Sequence, residues 1–223
     1  MCYKQSHYSD AARFFEAHYK TSPQSDTILY YLYNCYRQLN DQDRAVGILK
    51  RLVDKGKATA DIIQILFTYY RSHARYKELF TLLTSTYGSD HHDLYEQVPL
   101  TRRLYAEILF GASTASFNTS DPLVFAITEN LIPAFPNGDF YPDDSLTYGN
   151  LIILLDRLVK PHYPSTFHGL HHIPNTSYLY LPYMRLIELD LLDYDPELRP
   201  DDIASVMFAV TCVQRLKRNG ILD

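Results

Sequence analysis

The residues best suited to chemistry lie in one stretch, HYPSTFHGLHHIPN, which carries four histidines between positions 162 and 172. Histidines four apart on a helix can share a metal ion. Here Pro161, Pro164, Gly169 and Pro174 favour a loop, and no carboxylate stands within the stretch to complete a set of ligands. A partly solvated loop is the preferred interpretation, and a metal site is the alternative.

No other stretch predicts a catalytic site. The sequence contains no Gly-rich phosphate loop and no Gly-x-Ser-x-Gly nucleophile turn. The acidic run 188–202 lacks the spacing and central glycine of a calcium loop. We therefore predict a non-catalytic protein without metal or other cofactor. Glycan hydrolysis by two of these carboxylates is the alternative, although nothing singles out a pair.

Composition narrows the range of partners. The 21 basic and 26 acidic residues give a formal charge of -5 without a dense basic stripe, which argues against a nucleic-acid partner. No apolar run approaches the roughly 20 residues that span a bilayer. Cys2, Cys35 and Cys212 are too scattered for a disulfide framework. These features predict a globular, mostly α-helical protein without a transmembrane segment.

The first third of the chain repeats itself at an offset of about 34 residues. The matched positions are apolar in both copies: Leu29 with Ile63, Leu32 with Leu66, and Tyr36 with Tyr70. Apolar residues three or four positions apart give one buried face on each of two successive helices. A period of this length is typical of helix-turn-helix repeat arrays. It predicts helices over 9–20, 26–39, 42–54, 60–72 and 76–87.

This pattern resembles the tetratricopeptide repeat over about residues 5–88. The resemblance rests on a small residue followed four positions later by a large apolar one: Ala11 with Phe15, and Ala45 with Leu49. It departs from the family at Tyr33 and Phe67, where a small residue is usual. An ordinary helical bundle with a chance periodicity is the alternative interpretation.

The resemblance implies a concave groove lined by the first helix of each repeat. The residues that match the family's groove-facing positions are Tyr30, Asn34, Arg37, Gln38, Gln64, Thr68 and Arg71. Arginines and amide donors with few apolar neighbours suit an extended or acidic peptide. A solvated helix face without a ligand is the alternative.

The repeat also predicts how the chain starts. At the same offset Cys2 occupies the position of Tyr36, so the first copy lacks most of its first helix. We therefore expect a fragment, or the mature end of a longer precursor, because an unpaired repeat helix exposes its apolar side. Cys2 is interpreted either as the lipid-modified cysteine of a bacterial lipoprotein or as an ordinary cysteine.

The second half contains a different repeat. The segments FYPDDSLTYGNLIILLDRLV (140–159) and LRPDDIASVMFAVTCVQRLK (198–217) each carry Pro-Asp-Asp before an apolar helix that ends near Arg-Leu. A third helix, within VPLTRRLYAEILFGA (98–112), has the same apolar spacing. Thr101, Thr147 and Ser205 each place a hydroxyl where free backbone N–H groups need an acceptor.

This half resembles the S-layer homology module over about residues 95–218. FPNGDFYPDD is similar to the loop of that family, and PLTRRLYAEIL is similar to its helix start. The resemblance implies that Thr101 and Arg102 bind cell-wall polysaccharide. The other two helices carry Tyr148 and Val206 in place of the arginine. A module kept as a protein-contact platform is therefore the alternative.

Together these patterns predict a mostly α-helical protein with short extended loop segments. We expect a tetratricopeptide-like solenoid over 1–88, a linker over 89–97 and an S-layer-homology-like helical module over 98–223. The predicted function is a non-catalytic adaptor or scaffold of the bacterial cell envelope that holds a protein or peptide partner. A cell-wall polysaccharide-binding anchor is the alternative. The envelope location rests on the resemblance alone.

Overall fold

The computed structural model describes residues 7–23, 25–86, 95, 98–114 and 118–222. The prediction of a mostly α-helical protein is confirmed, since these residues form ten α-helices and only isolated β-bridges. None of the described helices is both long and apolar enough to cross a membrane. The helices are α1 (Tyr8–Thr21), α2 (Asp26–Gln38), α3 (Gln42–Asp54), α4 (Ala60–Ser72), α5 (Tyr76–Thr86), α6 (Arg102–Ala112), α7 (Pro122–Thr128), α8 (Tyr148–Asp156), α9 (Tyr180–Glu188) and α10 (Val206–Arg218).

The chain divides into two compact units, Met1–His73 and Ala74–Asp223. The second unit therefore includes α5, which the sequence analysis assigned to the repeat array. The reason is a close contact with α6, because a Cβ on Gly111 would lie 2.1 Å from the carbonyl oxygen of Tyr76. Most of the predicted linker 89–97, like Cys2, lies outside the described residues.

In the first unit, α1 to α4 pack in succession, each helix on the next. The matched apolar pairs of the 34-residue period are all buried, and so are the small residues Ala11 and Ala45. Turn chemistry sets the helix boundaries: the Asp41 carboxylate accepts a hydrogen bond from Arg44 N at 3.1 Å, and the Thr59 hydroxyl accepts one from Ile62 N at 3.4 Å. The observed helices begin and end within one residue of the prediction. Whether they form a tetratricopeptide solenoid stays a prediction.

In the second unit, the three repeated helices α6, α8 and α10 start in the same way. Thr101 accepts a hydrogen bond from Leu104 N at 3.2 Å, Thr147 one from Asn150 N at 3.2 Å, and Ser205 one from Phe208 N at 3.1 Å. The predicted hydroxyl caps are thus confirmed at all three helices.

The short segments that lead into these helices pair with one another. The three antiparallel bridges are Thr101 with Ser145, Thr147 with Ile203, and Pro99 with Ser205. Each segment contacts both of the others, so the three form a closed triangle. Leu100, Leu146 and Ala204, which directly precede the caps, are all buried. The unit therefore has an internal threefold repeat of segment, cap and helix.

Candidate functional site

A cavity of about 530 Å³ opens in the first unit where α2, the start of α3 and α4 come together. Its volume lies in the range that ligand sites in proteins occupy. Both long walls come from the helices that the repeat pattern predicted to line a groove. We call this cavity the α2–α4 groove.

Three of the seven residues predicted to contact a partner line the groove together: Arg37, Gln64 and Thr68. All three are exposed. The guanidinium carbon of Arg37 lies 5.9 Å from the centroid of the Tyr33 ring, which is the distance of a cation–π contact. The three side chains offer hydrogen-bond donors and acceptors to a ligand.

The other four predicted residues lie outside the groove lining. Tyr30 and Gln38 are exposed on α2. The Asn34 side-chain amide donates to the Tyr30 carbonyl at 3.0 Å, and the Arg71 guanidinium carbon lies 5.5 Å from the ring centroid of Phe67. These four side chains therefore widen the polar surface of α2 and α4 without entering the cavity.

Sequence reasoning missed the aromatic and apolar part of the groove. Tyr33, Ile65, Tyr69 and His73 also line it. The Tyr69 ring stacks on His73 with 4.0 Å between centroids, and its hydroxyl donates to Asp43. One signal was available, because Tyr33 stands four positions before Arg37, which places the two side chains on one helix face.

The charge of the groove is one-sided. Its described lining includes the guanidinium of Arg37 but no carboxylate. A ligand carboxylate would meet a charge-assisted donor here without facing a like charge. The groove therefore favours an acidic group over a basic one.

The predicted polysaccharide residues lie in the second unit. Thr101 is the cap of α6, so its hydroxyl is already engaged. Arg102 is only 7% exposed, and its guanidinium carbon lies 4.6 Å from the Phe135 centroid and 4.5 Å from the Phe140 centroid. One terminal nitrogen donates to the carbonyl of Pro133, while Nε is buried without a hydrogen-bond partner among the described residues.

The environment of Arg102 shifts its titration. Burial lowers the pKa of the guanidinium, and the nearby charge of Asp144 acts in the opposite direction. In contrast, Arg103 points outward and pairs with Asp143 at 3.1 Å on the surface. The adjacent arginines thus have different surroundings, and Arg102, for which polysaccharide binding was predicted, is enclosed by the protein's own side chains.

The histidine-rich stretch is held by carboxylates from other parts of the second unit. His171 Nδ1 lies 2.5 Å from a Glu197 oxygen, and His162 Nε2 lies 3.5 Å from a Glu188 oxygen. In the described part of the chain, no group of three or more His, Cys, Asp and Glu residues is placed to hold a metal ion.

In comparisons with known proteins, no protein-family model, no curated protein and no solved structure matches this chain. What the structure itself shows is a mostly α-helical chain of two compact units, the first of which has a groove with both apolar and polar lining residues.

Proposed function

We propose that this chain is a non-catalytic adaptor that binds an extended peptide segment of a partner protein in the α2–α4 groove. The observation that supports this proposal is the convergence of Arg37, Gln64 and Thr68 in one cavity of about 530 Å³. Their spacing on two different helices gives separate contact points along one path.

The groove offers each kind of contact that a peptide needs. Gln64 and Thr68 can donate to and accept from peptide backbone groups. Tyr33 and Ile65 provide apolar surface for a side chain, and Ile65 is 39% exposed. Arg37 supplies the charged donor for an acidic residue. Because the groove is short, we expect micromolar affinity.

The proposed location of the adaptor and the competing function both rest on the family resemblances. The bacterial cell envelope is the proposed location of the adaptor. Polysaccharide anchoring through Thr101 and Arg102 is the competing proposal, and the enclosure of Arg102 by Phe135 and Phe140 makes us favour the adaptor. Co-sedimentation with deproteinised cell walls, beside an Arg102→Ala variant, tests the anchor directly.

The adaptor proposal is tested with two fluorescein-labelled octapeptide mixtures, one with glutamate and one with lysine at alternate positions. Fluorescence anisotropy is measured for the wild type, for Arg37→Gln and for Arg13→Gln. Arg13 is exposed on α1 and does not line the groove, so it is the matched control for a lost charge. We expect the acidic mixture to bind better than the basic one.

Loss of Arg37 should weaken binding of the acidic mixture about tenfold, which is the size expected for one charge-assisted hydrogen bond. Arg13→Gln should leave it unchanged. Equal binding of both mixtures, or wild-type affinity of Arg37→Gln, would contradict the proposed ligand class and the role of the groove.

A further inference from the structure

Two junctions in the second unit share one backbone geometry. In each, the first two helix N–H groups donate to carbonyls of the next Pro-Asp-Asp run. At the first junction, Arg102 N donates to Asp144 O at 3.0 Å and Arg103 N to Pro142 O at 2.7 Å. At the second junction, the equivalent bonds are Tyr148 N to Asp202 O at 3.0 Å and Gly149 N to Pro200 O at 2.8 Å. Tyr148 therefore stands at the second junction where Arg102 stands at the first.

The first junction encloses a guanidinium group. The side chain of Arg102 lies between the rings of Phe135 and Phe140, with the charge of Asp144 nearby. Aromatic faces and a carboxylate together stabilise a cation that burial would otherwise disfavour. The chain thus shows, at one junction, which chemical group this geometry holds.

The second junction has a cavity of about 510 Å³. The loops before α8 and α10 begin alike, since Asn130 and Asp190 have φ of 53° and 54°. Counted from this common start, Asp195 takes the position of Phe135. Counted from the common prolines, Leu198 takes the position of Phe140. Both residues line the cavity, as does Tyr148.

The cavity has an excess of negative charge. Four carboxylates line it, against the two guanidinium groups of Arg199 and Arg215: Asp193, Asp195, Glu197 and Asp202. Asp193 is neutralised by Arg215 through two bonds of 2.7 and 2.9 Å, and Glu197 is paired with His171. The carboxylate of Asp202 has no hydrogen bond or ion pair with any residue in the described ranges.

The cavity also has an aromatic wall. The rings of Tyr148 and Phe208 both line the cavity and stand at 90° to each other with 4.8 Å between centroids. A planar guanidinium can stack on an aromatic face and donate two parallel hydrogen bonds to one carboxylate. An ammonium group, in contrast, has no plane to stack on a ring.

We propose that this second-junction cavity binds the arginine side chain of a partner polypeptide, stacked near Tyr148 and paired with Asp202. The inference is separate from the α2–α4 groove and does not depend on the adaptor proposal. It gives the second unit its own recognition chemistry, opposite in charge to that of the groove.

The test is a titration of the full-length ¹⁵N-labelled protein with acetyl-Gly-Arg-Gly-amide, followed by amide chemical shifts. The same peptide with citrulline in place of arginine keeps the shape and removes the charge. Asp202→Asn removes one carboxylate charge from the cavity lining and keeps the size of the side chain. Asp201→Asn removes the same charge from the neighbouring residue, which does not line the cavity.

We expect the arginine peptide to shift amides around Tyr148 and Phe208, and the citrulline peptide to bind at least fivefold more weakly. Asp202→Asn should weaken the arginine peptide about fivefold, and Asp201→Asn should not. Equal binding of the two peptides to the wild type overturns the inference even if a variant misfolds. Shifts confined to residues of the first unit overturn it as well.

Discussion

The enclosure of Arg102 predicts that this side chain stabilises the second unit. The matched pair of substitutions is Arg102→Ala and Arg103→Ala, at adjacent positions on α6. Arg102 is 7% exposed and lies between two phenyl rings, whereas the Arg103 side chain is 40% exposed and makes one surface ion pair. The two variants lose the same side-chain atoms, one set from a buried position and the other from the protein surface.

The magnitude follows from the contacts. A hydrogen bond from a charged donor, here to the Pro133 carbonyl, contributes about 1.5–3 kcal/mol, and a desolvated cation–π contact about 1 kcal/mol. Removing the guanidinium also removes its own desolvation cost. We therefore expect Arg102→Ala to lower the free energy of unfolding by about 3 kcal/mol, and Arg103→Ala by less than about 0.5 kcal/mol.

Hydrogen–deuterium exchange of the intact chain measures the loss of stability around α6. A chain of two units does not have one well-defined unfolding free energy, but exchange of the α6 amides reports opening of that region. A loss of about 3 kcal/mol corresponds to roughly a hundredfold faster exchange, since 1.36 kcal/mol is one factor of ten. Equal exchange rates in the two variants would refute the view that Arg102 is a structural cation.

Two further predictions test the packing and the titration of the second unit. Gly111→Ala should destabilise α6 by about 3 kcal/mol, because the new Cβ would meet the Tyr76 carbonyl. Gly47→Ala is the control: a Cβ there would meet nothing within 4 Å, so this change should stabilise α3 by roughly 0.8 kcal/mol. Local hydrogen exchange measures both effects, and equal effects of the two substitutions would contradict the contact at Gly111. Burial raises the pKa of Tyr95 and of Tyr183 to about 12 each, from about 10 in an unfolded chain. Unfolding of the second unit should therefore release protons above pH 10. The urea midpoint at which the methyl NMR signals of that unit are lost should be constant from pH 8 to about 10 and should fall towards pH 12. A constant midpoint across that range would show that these hydroxyls are not buried.

Local sequence signals predicted the helices well. Apolar spacing gave α1 to α4 to within one residue, because a buried face and a capping side chain both act over a few neighbouring positions. The caps at Thr101, Thr147 and Ser205 were predictable for the same reason. These features depend on residues that are close in the chain.

Contacts between distant segments were harder to predict. The repeat of Pro142 and Pro200 was visible in the sequence, but nothing in it indicated that the two Pro-Asp-Asp runs would accept hydrogen bonds from the starts of α6 and α8. The burial of Arg102 depends on Phe135 and Phe140, more than 30 positions away. The family resemblance implied a ligand-binding role for Arg102, and a resemblance of local motifs does not show which distant side chains will pack around a residue.

The two units differ in how they could change length during evolution. Helices stacked in succession, as in α1 to α4, pack mainly on their neighbours in the chain, so a repeat of this kind can gain a copy without a change in its pairing pattern. The triangle formed by the segments at Thr101, Thr147 and Ser205 offers no place for a further copy, since each already pairs with both others. Duplication of one Pro-Asp-Asp module would produce a fourth segment without a pairing partner, so the number three is fixed by backbone geometry. We therefore expect related chains to vary in the number of N-terminal helices and to keep three modules in the second unit.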